Sequence, residues 1–179
     1  MSDKLLLIDI DNCIRCYACE IACKEENDFP AGPRACRVIT VGPREVEGEL
    51  HMDFTPLMCV HCDDPFCANF CPFNAITKRE DGIVIINEEE CNGCGRCIHG
   101  CPYGVLYFNP QKEVAGKCSL CIERIDYGLE PSCVQHCIGG ALQFVTPEEL
   151  ENITEGTHKA RVGKVCYTSS KWKLSLPQS

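Results

Sequence analysis

Cysteine is the residue type with which this sequence could do chemistry. Eighteen cysteines occur in 179 residues; four groups of four account for sixteen of them and leave Cys36 and Cys166 outside. The first group is Cys13, Cys16, Cys19 and Cys23, and the third, Cys91, Cys94, Cys97 and Cys101, repeats its spacing and is followed by Pro102. The second, Cys59, Cys62, Cys67 and Cys71 before Pro72, has two extra residues ahead of its third cysteine, and the fourth, Cys118, Cys121, Cys133 and Cys137, has a longer insertion there. Every group opens C-x2-C and closes C-x3-C, so the chain carries an internal fourfold repeat. Thiolates are soft ligands, and three of them at i, i+3 and i+6 on a tight loop can wrap three iron corners of a 4Fe-4S cube while the loop amides face its sulfurs. The fourth corner must be reached from elsewhere.

In the bacterial ferredoxin run C-x2-C-x2-C-x3-C-P, the last cysteine ligates the other cluster of a pair. Groups one and three match that cysteine spacing, and groups two and three end in the Cys-Pro pair. Zinc is the main competitor, because two C-x2-C pairs make a tetrahedral site. It leaves the third cysteine of groups one and three without a place and gives the repeated C-x3-C-P no role. A disulfide framework belongs to secreted chains, and residues 1–10 lack a basic region, a long apolar stretch and a small-residue cleavage site.

Composition points the same way. The hydrophobic share of 45% includes cysteine, and without it only about a third of the chain is left to build cores. A thin core needs a staple, and metal is the staple on offer. The longest aliphatic runs, residues 5–8 and 83–86, fall far short of the ~18 residues that span a bilayer, which predicts a chain soluble by itself with no direct membrane insertion. A formal charge of −9 argues against nucleic acid as a partner. Four oxidised cubes, each carrying about −2 with its four thiolates, would bring the total to about −17. No dinucleotide fingerprint, phosphate loop or serine-histidine triad is present, so no catalytic site is assigned.

The elements that must hold these cysteines follow from local pattern. Residues 4–11 read as a strand leading into the first cysteine loop, with a short helix over 17–26. A second strand is expected near 37–41, then a charged turn over 42–48 before residues 51–57. Residues 75–87 read as a hairpin with strands near 76–78 and 83–86 around Arg79-Glu80-Asp81-Gly82. Thr146-Pro147-Glu148-Glu149 has an N-cap, a proline at the first helical position and a glutamate three residues after the cap, which predicts a helix to about Ile153. The tail after Gly156 is weakly specified and is expected either to wrap the surface or to fray.

Several residues stand beside the ligands. Cys36 and Cys166 are accounted for more cheaply as buried thiols than as a fifth metal site. His61, His99 and His136 could replace a thiolate as in Rieske centres, but each group already holds four cysteines, so supporting or surface roles are expected. Arg15, Arg96 and Lys117 would raise a cluster's potential by favouring its reduced form, with ion pairs to neighbouring acids as the plainer reading. Tyr17, Phe73 and Tyr103 are placed either to shield a cube from water or simply to pack.

The four groups, with the insertions in groups two and four, resemble the iron-sulfur subunits of the DMSO-reductase and formate-dehydrogenase type; the match covers roughly residues 4–144. The resemblance implies an α+β fold of two ferredoxin-like modules, each binding two 4Fe-4S clusters. One module would comprise residues 1–48 and 111–179, and the other residues 49–110. It further implies cluster 1 on Cys13, Cys16, Cys19 and Cys137, and cluster 2 on Cys23, Cys118, Cys121 and Cys133. Cluster 3 would take Cys59, Cys62, Cys67 and Cys101, and cluster 4 would take Cys71, Cys91, Cys94 and Cys97. The implied partners are a large molybdenum- or tungsten-pterin catalytic subunit and a ferredoxin or further redox subunit. The chain would relay electrons between them, in the cytoplasm, or in the periplasm if co-exported with a signal-bearing partner. Short chains of this kind also resemble the electron-transfer partners of cytoplasmic tungsten oxidoreductases, including the complex that reduces benzoyl-CoA in anaerobes. The alternative is a free-standing polyferredoxin.

Overall fold

Four consecutive aliphatic side chains can be buried by a strand only if both of its faces are covered. Residues 5–8 form such a strand, with no side chain more than 1% exposed. The computed structural model describes residues 3–174. In chain order the elements are β1 (Leu5–Asp9), α1 (Ala18–Glu26), β2 (Cys36–Val46), β3 (Glu49–Met58), α2 (Phe66–Asn69), β4 (Ile76–Lys78), β5 (Val84–Ile86) and α3 (Arg96–His99). They continue with β6 (Tyr107–Asn109), β7 (Val114–Gly116), α4 (Ile122–Ile125), α5 (Ser132–Gln135), β8 (Leu142–Val145), α6 (Pro147–Ile153), β9 (His158–Val162) and β10 (Val165–Ser169).

β1 is covered because it lies inside a four-stranded sheet of order β8-β1-β10-β9, parallel to β10 and antiparallel to β8. The tail after Gly156 therefore neither frays nor wraps the surface over residues 158–169; it supplies two strands, one of them next to β1. Beyond them, Trp172 is 3% exposed, with its indole N–H donating to Asp53 at 2.6 Å and the Arg44 guanidinium 5.3 Å from its ring.

The expected turn over 42–48 is mostly strand. After a bulge between Val41 and Arg44, pairing resumes at Arg44–His51 and runs to Val46–Glu49, leaving Glu47 and Gly48 as the turn. Gly42 takes φ +103 and lies so close to β3 that a Cβ there would meet the His51 carbonyl at 2.8 Å. A Gly-Pro pair that reads locally as chain reversal is thus a kink in a long hairpin. The hairpin of β4 and β5 and the α6 helix lie where sequence pattern places them. β6 and β7 form a further hairpin, and the boundaries at 48/49 and 110/111 both fall in hairpin turns.

The fold is mixed α+β. α1 packs on α5 and α2 on α3, which brings group one beside group four and group two beside group three. One core gathers Leu6, Ile8, Met58, Ile83 and Val165 with Cys19, Cys23 and Cys133; a second gathers Ile76, Val84, Val105 and Leu106 with Cys59, Cys67 and Cys97. Cysteine is core material in both.

Candidate metal centre

All four cysteine groups share one backbone device. The residue before the second cysteine, Arg15, His61, Gly93 or Leu120, takes left-handed φ of 57, 52, 72 and 55°. This turns the loop amides inward, as in the backbone nests that bind anions. The amide of the same residue donates to the first cysteine's sulfur from His61 to Cys59 at 3.4 Å and from Leu120 to Cys118 at 3.3 Å. The third cysteine of every group, Cys19, Cys67, Cys97 or Cys133, is the second residue of a helix. In groups two, three and four that helix ends after one turn, and the fourth cysteine follows as the chain leaves it.

These loops frame three small cavities. Cys13, Cys16 and Cys19 with Cys137 line one. Cys59, Cys62 and Cys67 with Cys101 line a second, and Cys91, Cys94 and Cys97 with Cys71 a third. In each the fourth cysteine comes from a different group than the other three. A wider groove is lined by Cys118 and Cys121. The Cys133 thiol feels Cys118, Cys121 and Cys23. Among the described residues no three His, Cys, Asp or Glu side chains converge on a point fit for a single ion. Thiols spread around a cavity suit a multi-iron group better than one tetrahedral zinc with ~2.3 Å bonds to sulfur.

Burial works against the thiolate in these quartets, pushing Cys23 up to about 12, Cys67 up to about 11, and Cys118 and Cys133 well up. A thiolate there needs a cation beside it, and cluster iron, when bound, would take the place of the thiol protons and supply that charge. The donor set, the inward amides and the cavities all fit 4Fe-4S groups.

The neighbours sort plainly. Tyr17, Tyr103 and Phe73 each line a different one of the three cavities. Arg15 stacks over Phe54, 4.9 Å to the ring centroid, and bonds the Tyr17 hydroxyl, where an ion pair was the plainer expectation. Arg96 is exposed at the first residue of α3. The rings of His99 and His136 bond the carbonyls of Gly95 and Ser132, four residues back, and close their helices. His61 is fully buried and accepts the Val84 amide through Nδ1. Cys36 is buried, and its hydrogen bond with Cys19 lowers the Cys19 pKa while raising its own. Cys166 is fully buried in the β-sheet core. Sequence reasoning missed the buried Glu20, which accepts the Val38 amide and the Arg34 guanidinium and so ties α1 to β2. Only the three-dimensional pairing marks that glutamate. Among the described residues no helix is long and apolar enough to cross a membrane.

Comparison with known proteins points to iron-sulfur chemistry as well. The 4Fe-4S dicluster domain family matches residues 50–147. A tetrathionate reductase subunit of Salmonella typhimurium is 41% identical over 140 residues, covering 76% of this chain and 55% of that protein. The iron-sulfur subunit of the nitrate-inducible formate dehydrogenase of Escherichia coli is 36% identical over 165 residues, 83% of this chain and 56% of that protein. The thiosulfate reductase electron transfer subunit of Salmonella typhi is 38% identical over 149 residues, 82% of this chain and 78% of that protein. The chain thus spans about half the length of the first two relatives.

Proposed function

We propose, from the premise that this chain belongs to the 4Fe-4S dicluster domain family, that it is an electron-transfer subunit carrying four 4Fe-4S clusters. Its partner is a molybdenum- or tungsten-containing catalytic subunit. The observation that carries this reading is the set of three cavities, each lined by three cysteines of one group and one of another.

Cluster 1 uses Cys13, Cys16, Cys19 and Cys137; cluster 2 uses Cys23, Cys118, Cys121 and Cys133. Cluster 3 uses Cys59, Cys62, Cys67 and Cys101; cluster 4 uses Cys71, Cys91, Cys94 and Cys97. Residues 49–110 make the module of clusters 3 and 4, and residues 1–48 with 111–179 that of clusters 1 and 2. When bound, the cubes supply one-electron redox chemistry. The protein positions them and limits their contact with water. Among the second cysteines of the groups, Cys16 and Cys94 are exposed whereas Cys62 and Cys121 are half-buried, which supports a relay whose surface ends are clusters 1 and 4. The names of the relatives, subunits of two reductases and a formate dehydrogenase, support a large redox enzyme as the partner and no substrate chemistry on this chain.

Anaerobic purification from the native source tests both halves. Iron and acid-labile sulfide are expected at about sixteen each per chain, four per cube. Co-elution with a large molybdenum- or tungsten-containing chain is expected as well. A stable iron-loaded monomer would leave a free polyferredoxin, and a colourless chain would end the cluster reading altogether.

A further inference from the structure

Lys117 precedes the first cysteine of group four and is 8% exposed. Its ammonium donates to the Cys118 carbonyl at 2.9 Å and to the Val84 carbonyl. The first belongs to a cysteine of the cluster 2 quartet, and Val84 lines the cavity framed by Cys59, Cys62, Cys67 and Cys101. Lys117 also lines the groove that holds Cys118 and Cys121. It therefore sits in the wall between two quartets, and its charge acts across that wall on Cys67.

Among the described residues Lys117 forms no ion pair with a carboxylate. Buried charges are paired in folded proteins, because two carbonyl dipoles do not replace the water that an ammonium loses. Lys164, also buried, has the Asp81 carboxylate acting on it. His61, on the same wall, is no anion; its Nδ1 accepts the Val84 amide, and its buried Nε2 has no hydrogen-bond partner. The negative charge that balances Lys117 must come from what the thiols hold.

We infer that Lys117 is the shared counter-ion of clusters 2 and 3 and sets the potentials at which an electron crosses between the two modules. The inference rests on the cluster assignment proposed above. In the step one cube passes from about −3 to −2 while its neighbour passes from about −2 to −3, both counted with thiolates. One electron moves, no bond changes, and a cation flanking both cubes keeps the summed charge around it constant, so no proton need accompany the electron. The same cation favours the more negative form of each cube and raises both potentials.

The test uses the full cluster-loaded chain as wild type, Lys117→Met and Lys117→Arg, in redox titrations followed by electron paramagnetic resonance alongside iron and sulfide analysis. The methionine variant is expected to keep about sixteen irons. Two of its potentials should fall by roughly tenfold in the reduction equilibrium, ~59 mV for a one-electron couple, with the other two unmoved. The arginine variant should keep the wild-type potentials. Four unchanged potentials in a fully loaded methionine variant, or four equal shifts, would overturn the inference. If the methionine variant loses iron, retention of iron and potentials by the arginine variant supports the charge, and iron loss there too assigns Lys117 to packing and overturns it. A wild-type chain well short of sixteen irons refutes the four-cluster reading instead.

Discussion

Gly93 and Arg15 occupy the same place in their cysteine groups, one residue before the second cysteine, and both adopt left-handed backbone. For a residue with a side chain this conformation costs about 1–2 kcal/mol, yet Arg15, His61 and Leu120 all accept it. The loop imposes the conformation, whichever residue fills it. Gly93 is glycine for another reason: a Cβ there would lie 2.2 Å from the Glu113 carbonyl in the turn of the β6–β7 hairpin. Gly93→Ala should therefore push the loop off that turn and lower iron by about four per chain, one cube's worth, whereas Arg15→Ala should keep the full count. Iron analysis of the two purified variants checks this, and a fully loaded Gly93→Ala chain would contradict it. Nothing in the spacing of the cysteines distinguishes the two positions, because the obstructing carbonyl is twenty residues away in sequence.

At the scale of elements, α6 shows what local chemistry can specify. The Thr146 hydroxyl accepts from the Glu149 amide at 3.2 Å, the Glu149 carboxylate accepts from the Thr146 amide at 2.7 Å, and Pro147 stands at the first helical position. All of these partners lie within three residues, so the helix was readable. Thr146→Ala should cost about 1 kcal/mol, seen as a lower denaturant midpoint with an unchanged slope. A midpoint equal to wild type would show that Leu150, 3% exposed against β1, holds the helix unaided. The place of β10 was not readable, because it depends on a register with residues more than 150 positions away, Leu6 against Val165 and Asp9 against Thr168, and β9 joins the sheet only through β10. Asp11 shows the same dependence. Burial opposes its charge, but the hydroxyls of Ser169 and Ser170 and the Ser170 amide hold its carboxyl below the usual carboxylate range, clamping the first cysteine loop to the chain's far end.

At the scale of the molecule, the two cores differ in what they are made of. Three of the eight buried residues in the core between group two and group three are cysteines of the four groups, against three of fifteen in the core that Leu6 and Ile8 of β1 join, and Leu5 and Leu7 on the other face of β1 pack with no such cysteine. Metal binding is folding free energy where the metal-free core is too small to stand alone. Anaerobic removal of iron by a chelator should therefore abolish hydrogen-exchange protection over β4 to β7 before it affects β1, β8 and β10. Simultaneous loss would mean that the sheet too depends on the clusters. The sixteen cysteines, their division into four groups and the chemistry they are suited to are legible in the chain before it folds, because ligand type and a three-residue spacing are properties of a few neighbouring residues. Which group's last cysteine faces which cavity, that Lys117 is buried in a wall without an ion pair to any described carboxylate, and that the tail closes the sheet emerge only on folding. Each of those depends on packing between segments separated along the chain, and no local pattern encodes the distance between them.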